Sequence, residues 1–587
     1  MTSNNLQSTS FDHLFFYKHW FKPSTHQLRS LVILAMTSDS NLQFKSTQDP
    51  AKLKELFTLC GSEWSGPLDA NEFGEIQTQS IEEYVKSGLK VEGFYIEDTS
   101  KDLVVATIII KHLKGLYKPA DRSSSISSAP DPSLFGVKNI TSLLVSFVFT
   151  HQDYRKRGLA ENCISQAIAA TEKEIIEEHL RKSDESANDN FKKMTLDNFT
   201  GEVDPQLANY YLGKEYVWFL FSGVQTYYKR FGFKSYPLDF YEIPIKELSE
   251  GQESVLKQLI EDLEQLNQQQ PDAKSKVLGK RIKLLNWDSD EDQEIIKFIL
   301  QTKELEILSE LNKLSYHSEL QGDRKSSTSL TNMTNILSMT KIGSHSTLSA
   351  IGETTTGKPT VTDDVSRRKS TAMNQTVPKF AIKPSFADYK SKVVSALGYA
   401  KTEQSTKFTK IQGAIITNDL QRRSYYVLWN SLKGEFFITG MGELIYESVL
   451  PSANPQRRGS SFTGLNDLGG YNFQDLDILV SAALYTAKNR SGKFENVYVS
   501  THDLPSDIPD AVMHDFLINY LPFSSYALDE HKVKRKEAKA TSTEDHKVEL
   551  LADNGKKVGV LPMVKQFGSD KSEFDIDWLD NGMWCWG

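Results

Sequence analysis

Residues 140–150 read ITSLLVSFVFT, an apolar run without a single acid, and HQDYRKRGLA follows at once. A run of that length with polar residues after it reads as a buried strand, and what comes next has helical periodicity. Leu159, Cys163, Ile164, Ala167, Ile168, Thr171 and Ile175 share one face, with Glu161, Glu172, Lys173 and Glu177 placed elsewhere. Such a helix must cover a sheet, which restricts the fold to layered mixtures of strand and helix. At the junction lie Arg155, Lys156, Arg157 and Gly158. A helix N-terminus offers unpaired N–H groups and the positive end of a dipole, a turn of successive N–H groups adds an anion-binding nest, and glycine lets an anion approach the backbone. The junction is therefore predicted to cradle a phosphate, with the backbone from Lys156 to Ala160 binding and the three basic side chains adding charge.

The flanks continue the alternation. NLQFKST (41–47) reads as a strand and DPAKLKELFTLCGSEW (49–64) as a helix with Pro50 in its first turn. VEGFYIED and DLVVATIIIKHL read as strands, and YVWFLFSG, VQTYYKRF and FYEIPI as strand, short helix and strand. Residues 182–206 look like a solvated insertion. The chain divides on this reading into a poorly ordered extension (1–36), a first domain (37–247), a charged helical connector (248–320), a disordered Ser/Thr-rich insertion (321–378) and a C-terminal domain (379–587). The last region contains the strands GAIITN, SYYVLWN, GEFFITG and ENVYVST, the helix DLDILVSAALYTAKN, and polar loops near 453–470 and 530–547.

At 587 residues the chain is too long for one core. A net charge of −9 argues against nonspecific nucleic-acid binding. No apolar run reaches the roughly 18 residues of a membrane span. Cys60, Cys163 and Cys585 form neither a disulfide framework nor a zinc pattern, so no metal is expected and a cytoplasmic protein is. The alternative is a mitochondrial address if the acid-poor residues 1–36, with Asp12 against Lys18, Lys22 and Arg29, are a targeting peptide. RRKS (367–370) and RRGS (457–460) resemble basophilic kinase sites, although charged linker is the better reading of both.

The pattern Arg155-x-x-Gly158-x-Ala160 resembles the R/Q-x-x-G-x-G/A loop of the GNAT superfamily of N-acetyltransferases, which holds the pyrophosphate of acetyl-CoA. Downstream, Tyr228-Lys-Arg-Phe-Gly232-Phe233 is similar to the family's Y-x-x-x-G-F ending. The resemblance implies an α/β (α+β) GNAT fold with a mixed central sheet, followed here by a second α+β domain. It implies acetyl-CoA as co-substrate, held by Arg155, Lys156, Arg157, Gly158, Leu159 and Ala160, with main-chain contacts from Phe149 and Thr150. It also implies that Tyr228 protonates the departing thiolate. A packing role stays open for Tyr228, because Val224, Tyr227, Tyr228 and Phe231 fall at i, i+3, i+4 and i+7. Many family members carry a basic Glu on the strand before the loop; this chain has no acid between Asn139 and Gln152. Glu63, Glu72 and Glu75 lie where the family places a substrate-facing loop, so the base is sought there, with His151 and the Gly587 carboxylate as lesser candidates.

FTLCGSEWSGPL, FTHQDYRKRGLAENCI, VWFLFSGVQTYYKRFGF and, loosely, LPMVKQFG and WLDNGMWCWG narrow the resemblance to the fungal lysine N6-acetyltransferases, which acetylate the ε-amine of free L-lysine. That implies a small-molecule amine partner, and a C-terminal region that supplies a wall of its pocket, with Trp578, Trp584 and Trp586 anchoring the tail. A protein or polyamine N-acetyltransferase and a non-catalytic acyl-CoA-binding protein remain alternatives, and the oligomeric state is left open.

Overall fold

The computed structural model describes residues 41–120, 136–185, 212–248, 280–312, 377–400, 407–418, 423–444, 473–490, 494–521, 548–552 and 560–586, apart from single positions, with fragments of 253–257. The expectations for residues 1–36, for nearly all of the insertions at 182–206 and 321–378, for the two polar loops, for both kinase-like motifs and for Gly587 lie outside the described residues.

Strands β1 (Leu42–Thr47), β2 (Val91–Asp98), β3 (Leu103–Lys118) and β4 (Lys138–Thr150) form an antiparallel meander. Between β1 and β2 run α1 (Pro50–Trp64) and α2 (Ala70–Lys86). Asp49 caps α1 by accepting from the Lys52 N–H at 3.1 Å, and Pro50 occupies a position where no N–H is needed. Asp69 and Glu72 form a reciprocal capping box on α2. β4 leads through the basic turn into α3 (Leu159–Glu185), and β5 (Tyr216–Ser222) then lies parallel to β4. All seven residues on the proposed apolar face of α3 are buried against the sheet. Glu172 lies off that face but is still drawn into hydrogen bonds with the sheet side. It accepts from the Trp218 indole N–H at 2.8 Å and the Gly568 N–H at 2.9 Å, two buried donors that would otherwise lack a carboxylate.

The expected boundaries between domains do not coincide with the boundary between sheets. The first sheet runs β1-β2-β3-β4-β5-β15-β6, where β6 is Lys234–Ser235 and β15 is Leu561–Gln566 near the C-terminus. β9 (Lys379–Ile382) pairs with β3, and β16 (Asp577–Trp578) with β9. The second sheet runs β14-β7-β13-β12-β11-β10-β8. Its β10 (Ile411–Asn418), β11 (Arg423–Leu432), β12 (Glu435–Glu443), β13 (Asn496–Ser500) and β14 (Glu549–Leu551) are joined by β7 (Phe240–Pro244) from the first region. β8 (Lys280–Asn286) lies within the supposed helical connector, which is a correction to that reading. Its alternation is short and sits beside a charged helix, α4 (Asp290–Asn312), whose pattern dominates the surrounding sequence.

Each sheet is covered on both faces. In the first, α1 and α2 pack over Tyr95, Ile109, Leu144 and Phe219, while α3 packs over Phe94, Ile108, Ile110 and Trp218. In the second, α6 (Phe473–Arg490) covers one face through Leu479, Val480 and Ala483. On the other, α4 and α5 (Phe386–Ala400) pack on Ile415, Tyr426 and Leu428. The architecture is mixed α+β with two mixed sheets, as the sequence led us to expect.

Candidate active site

The site grows out of one departure from regular pairing. β4 and β5 are paired only from Thr141 to Leu144 against Tyr216 to Phe219. Beyond Leu144, β4 stays with β3, while β5 continues to Ser222 alongside β15. The two strands therefore part, and among the described residues no strand pairs with the β5-facing edge of β4 from Val145 to Thr150. One extra residue in β4 accompanies the parting: Ile109 pairs with Ser146 but Thr107 with Phe149, and Phe147 takes φ +50°. A bulge of this kind bends a strand and re-aims its backbone groups. Phe149 and Thr150 lie on this stretch, where the sequence reading placed main-chain contacts.

The turn that follows begins with a single 3-10 turn, Gln152–Tyr154, capped by the His151 ring, which accepts from the Asp153 N–H at 3.3 Å. His151 is thereby given a structural task. Lys156 has φ +65° and Gly158 φ +74°, so the chain passes twice through the left-handed region before α3 starts at Leu159. A Cβ at Gly158 would meet nothing within 4 Å, leaving open space in front of the turn. Among the described residues, no acceptor is bonded to the N–H groups of Lys156, Gly158, Leu159 or Ala160. Four donors around one helix N-terminus are the observation on which a pyrophosphate fits.

The basic side chains are not equivalent. Arg155 turns back across the turn. Its Nε donates to the Thr150 carbonyl at 3.1 Å, its guanidinium lies 5.3 Å from the Phe149 ring centre, and it pairs with Glu63. Arg157 stacks at 4.9 Å over Tyr154, whose hydroxyl donates to Asp98 at 2.7 Å. Lys156 is exposed.

Tyr228 lies in a 3-10 helix, Gln225–Phe231, closed by Gly232 at φ +88°. Because the turn is 3-10, the i, i+4, i+7 face does not form as read: Val224 is 59% exposed, while Tyr228 and Phe231 are buried. Tyr228 packs against Tyr227 and Phe233 within the same core as Leu159 and Trp218, and burial pushes its phenol well above the usual value. Arg230 of this helix pairs with Glu161 in the first turn of α3 at 3.3 Å, tying the Tyr228 element to the basic turn.

The carboxylates separate. Glu63 is brought to the turn by Arg155. Glu72 is occupied by its capping box, and Glu75 forms a surface pair with Lys54 at 3.3 Å, without contact to the turn or the parted strands. One group was missed by the sequence reading. Lys111 on β3 is 4% exposed, with its ammonium 5.1 Å from the Tyr84 ring and 5.9 Å from the Phe147 ring at the bulge. Desolvation pushes its pKa down to about 8, against the opposing pull of Asp388. Its signal was visible as a lysine inside VVATIIIKHL, where a half-exposed strand would explain it equally well.

Among the described residues, no helix is long and apolar enough to cross a membrane, and no cluster of His, Cys, Asp and Glu could hold a metal. No family model matches the chain, and no curated protein sequence does. Among solved structures, the chain is similar to a probable N-acyltransferase from Enterococcus faecalis V583, with 9% identity, a TM-score of 0.34, and 90% of this chain and 73% of that one covered. It is similar to a GCN5-related N-acetyltransferase from Kribbella flavida, with 8% identity, a TM-score of 0.31, and coverage of 90% and 72%. It is also similar to Saccharomyces cerevisiae N-myristoyltransferase with bound myristoyl-CoA, with 10% identity, a TM-score of 0.30, and coverage of 79% and 77%.

Proposed function

We propose that the protein is an acyl-CoA-dependent N-acyltransferase, with acetyl-CoA as donor and the ε-amine of free L-lysine as acceptor. The observation that carries the reaction class is the parting of β4 from β5, which leads directly into a turn with four unbonded N–H groups at the start of α3. The lysine acceptor rests on the sequence resemblance alone. The thioester supplies the activated acyl group; the residues of this chain bind, orient and move protons. The N–H groups from Lys156 to Ala160 hold the pyrophosphate, with Arg155 fixed by Glu63 and Thr150. The free edge at Phe149 and Thr150 accepts the extended arm, and one of its N–H groups polarises the acyl carbonyl. The Tyr228 phenol, kept protonated by burial, gives its proton to the departing sulfur.

A lysine side chain has a pKa near 10.4, so its ammonium must lose a proton before it can attack. We assign its removal to Glu63 acting through water, because Arg155 ties Glu63 to the turn, with Lys111 beside the bulge as the second candidate. The test is acetyl-CoA consumption with L-lysine, spermidine and a lysine-rich peptide, repeated with Tyr228→Phe. We expect turnover with lysine, and a fall in kcat of about 10²-fold in the variant with acetyl-CoA binding retained. Turnover with the peptide alone would overturn the acceptor. Acetyl-CoA binding without any turnover would overturn the enzyme reading, and unchanged kcat in Tyr228→Phe would remove Tyr228 from the mechanism.

A further inference from the structure

A second polar cluster lies away from the basic turn, between α4 and α5 on one side and β11, β12 and the C-terminal tail on the other. It lines a cleft with about 570 Å³ of empty space, its mouth included. Lys303, Asp388, Tyr389, Lys392, Asn430 and Thr439 supply its polar wall, and Leu428, Met583 and Trp584 its apolar one. Buried ions and hydroxyls are costly unless their bonding capacity is met, so what stays unmet shows what the cleft is shaped to receive.

The acceptors of Asp388 are engaged: one oxygen takes the Tyr84 hydroxyl and the other the Lys392 ammonium at 2.6 Å. Lys392 spends a second N–H on the Trp584 carbonyl at 2.5 Å, which leaves one of its three. Lys303, on a side chain 8% exposed, donates to Asp580 at 3.0 Å and keeps two. The Asn430 side-chain oxygen accepts from the Ser431 N–H at 2.8 Å, leaving its amide N–H₂. The Tyr389 hydroxyl is buried with no hydrogen-bond partner among the described residues, on a residue 9% exposed. Lys303 faces the carboxylates of Asp580, Glu306 and Asp503, and Asp580 Oδ2 is itself buried without a hydrogen-bond partner among the described residues. Asp388 is nevertheless the one carboxylate on the cleft wall, and the capacity left on that wall by Lys303, Lys392, Asn430 and Tyr389 is that of donors.

We propose that this cleft binds the carboxylate of a small molecule of amino-acid size, received by Lys303, Lys392 and Tyr389. A planar, charged acceptor answers several donors at once, and the apolar wall takes the rest of the ligand. The inference stands whether or not the acyl-transfer reading does. Two sources share this chemistry: the acceptor substrate itself, or a separate carboxylate that regulates it.

The experiment is calorimetric titration of the full chain with L-lysine, with L-norleucine, which keeps the carboxylate but has no ε-amine, and with cadaverine, which has both amines but no carboxylate. Lysine and norleucine are expected to bind and cadaverine not. Tyr389→Phe should weaken both carboxylates about tenfold, since a hydrogen bond to a charged group is lost. Its Tm without ligand should be unchanged or higher, because a buried hydroxyl without a partner is removed. Norleucine inhibiting turnover competitively against lysine would make the cleft the acceptor site, and any other pattern would make it regulatory. Cadaverine binding as well as lysine, no binding of either carboxylate at millimolar concentration, or norleucine binding equally to wild type, Tyr389→Phe and Lys303→Met would each overturn the proposal.

Discussion

Lys111 shows how one side chain can be read from its surroundings. Its ammonium is buried between Tyr84 and Phe147, and burial lowers its pKa from the ordinary value near 10.5 to about 8. A base whose pKa is lower in the folded state stabilises the fold most above pH 10.5, and that contribution is lost as pH falls through 8. At pH 7 the buried charge is therefore a standing cost, and Lys111→Met should raise stability there by about 1–3 kcal/mol. The advantage should shrink as the pH rises from 8 towards 10. Thermal unfolding across that range checks it; a variant less stable than wild type at pH 7 would mean that the attraction of Asp388 and the two aromatic rings outweighs the cost of burial. If Lys111 also takes the acceptor's proton, the variant loses the acid limb of the kcat profile near pH 8 as well.

At the scale of elements, β4, the basic turn and α3 act as one unit, and this was the most legible part of the chain. The run from Ile140 to Thr150 and the face from Leu159 to Ile175 are local patterns, and local patterns survive without knowledge of the partner surface. The parting from β5 at Phe149 and Thr150 was implied by the family resemblance alone, because Phe147 and Val148 carry no mark of the extra residue in the strand. The short helix around Tyr228 was legible, but its 3-10 form was not, since i, i+3, i+4, i+7 spacing does not separate a 3-10 turn from an α-helix. Within the turn, Gly158 separates two effects. Gly158→Ala places a Cβ in open space at φ +74°, so it should cost about 1–2 kcal/mol and leave acyl-CoA affinity within a few-fold. Gly158→Glu adds a like charge in front of the same N–H groups and should abolish binding. Equal affinity of the two variants, measured by titration with CoA, would show that no phosphate sits there.

For the molecule as a whole, neither sheet is the property of one stretch of chain. β15 and β16 complete the first sheet, and β7 and β8 the second. The sequence reading drew boundaries at 247 and 379 because composition changes there; strand exchange over such distances leaves no compositional trace. A chain ending before residue 560 should therefore not lose only a terminal appendage. It exposes β5 along Val217–Ser222, uncovers Phe219 and Tyr236 by removing Trp578, and should fail to give a cooperative unfolding transition or to bind acyl-CoA. A truncated protein that unfolds cooperatively and binds CoA like the full chain would contradict this. The same exchange governs the order in which the protein can be made. Tyr236 bonds to a carbonyl 340 residues further on, and ribosomes add about 5–20 residues per second. The edge of β5, beside the residues proposed to hold the cofactor, thus waits roughly 17–70 s for its neighbour. During that time the nascent chain carries an open, apolar strand edge, the kind of surface that pairs with other chains before its own partner arrives.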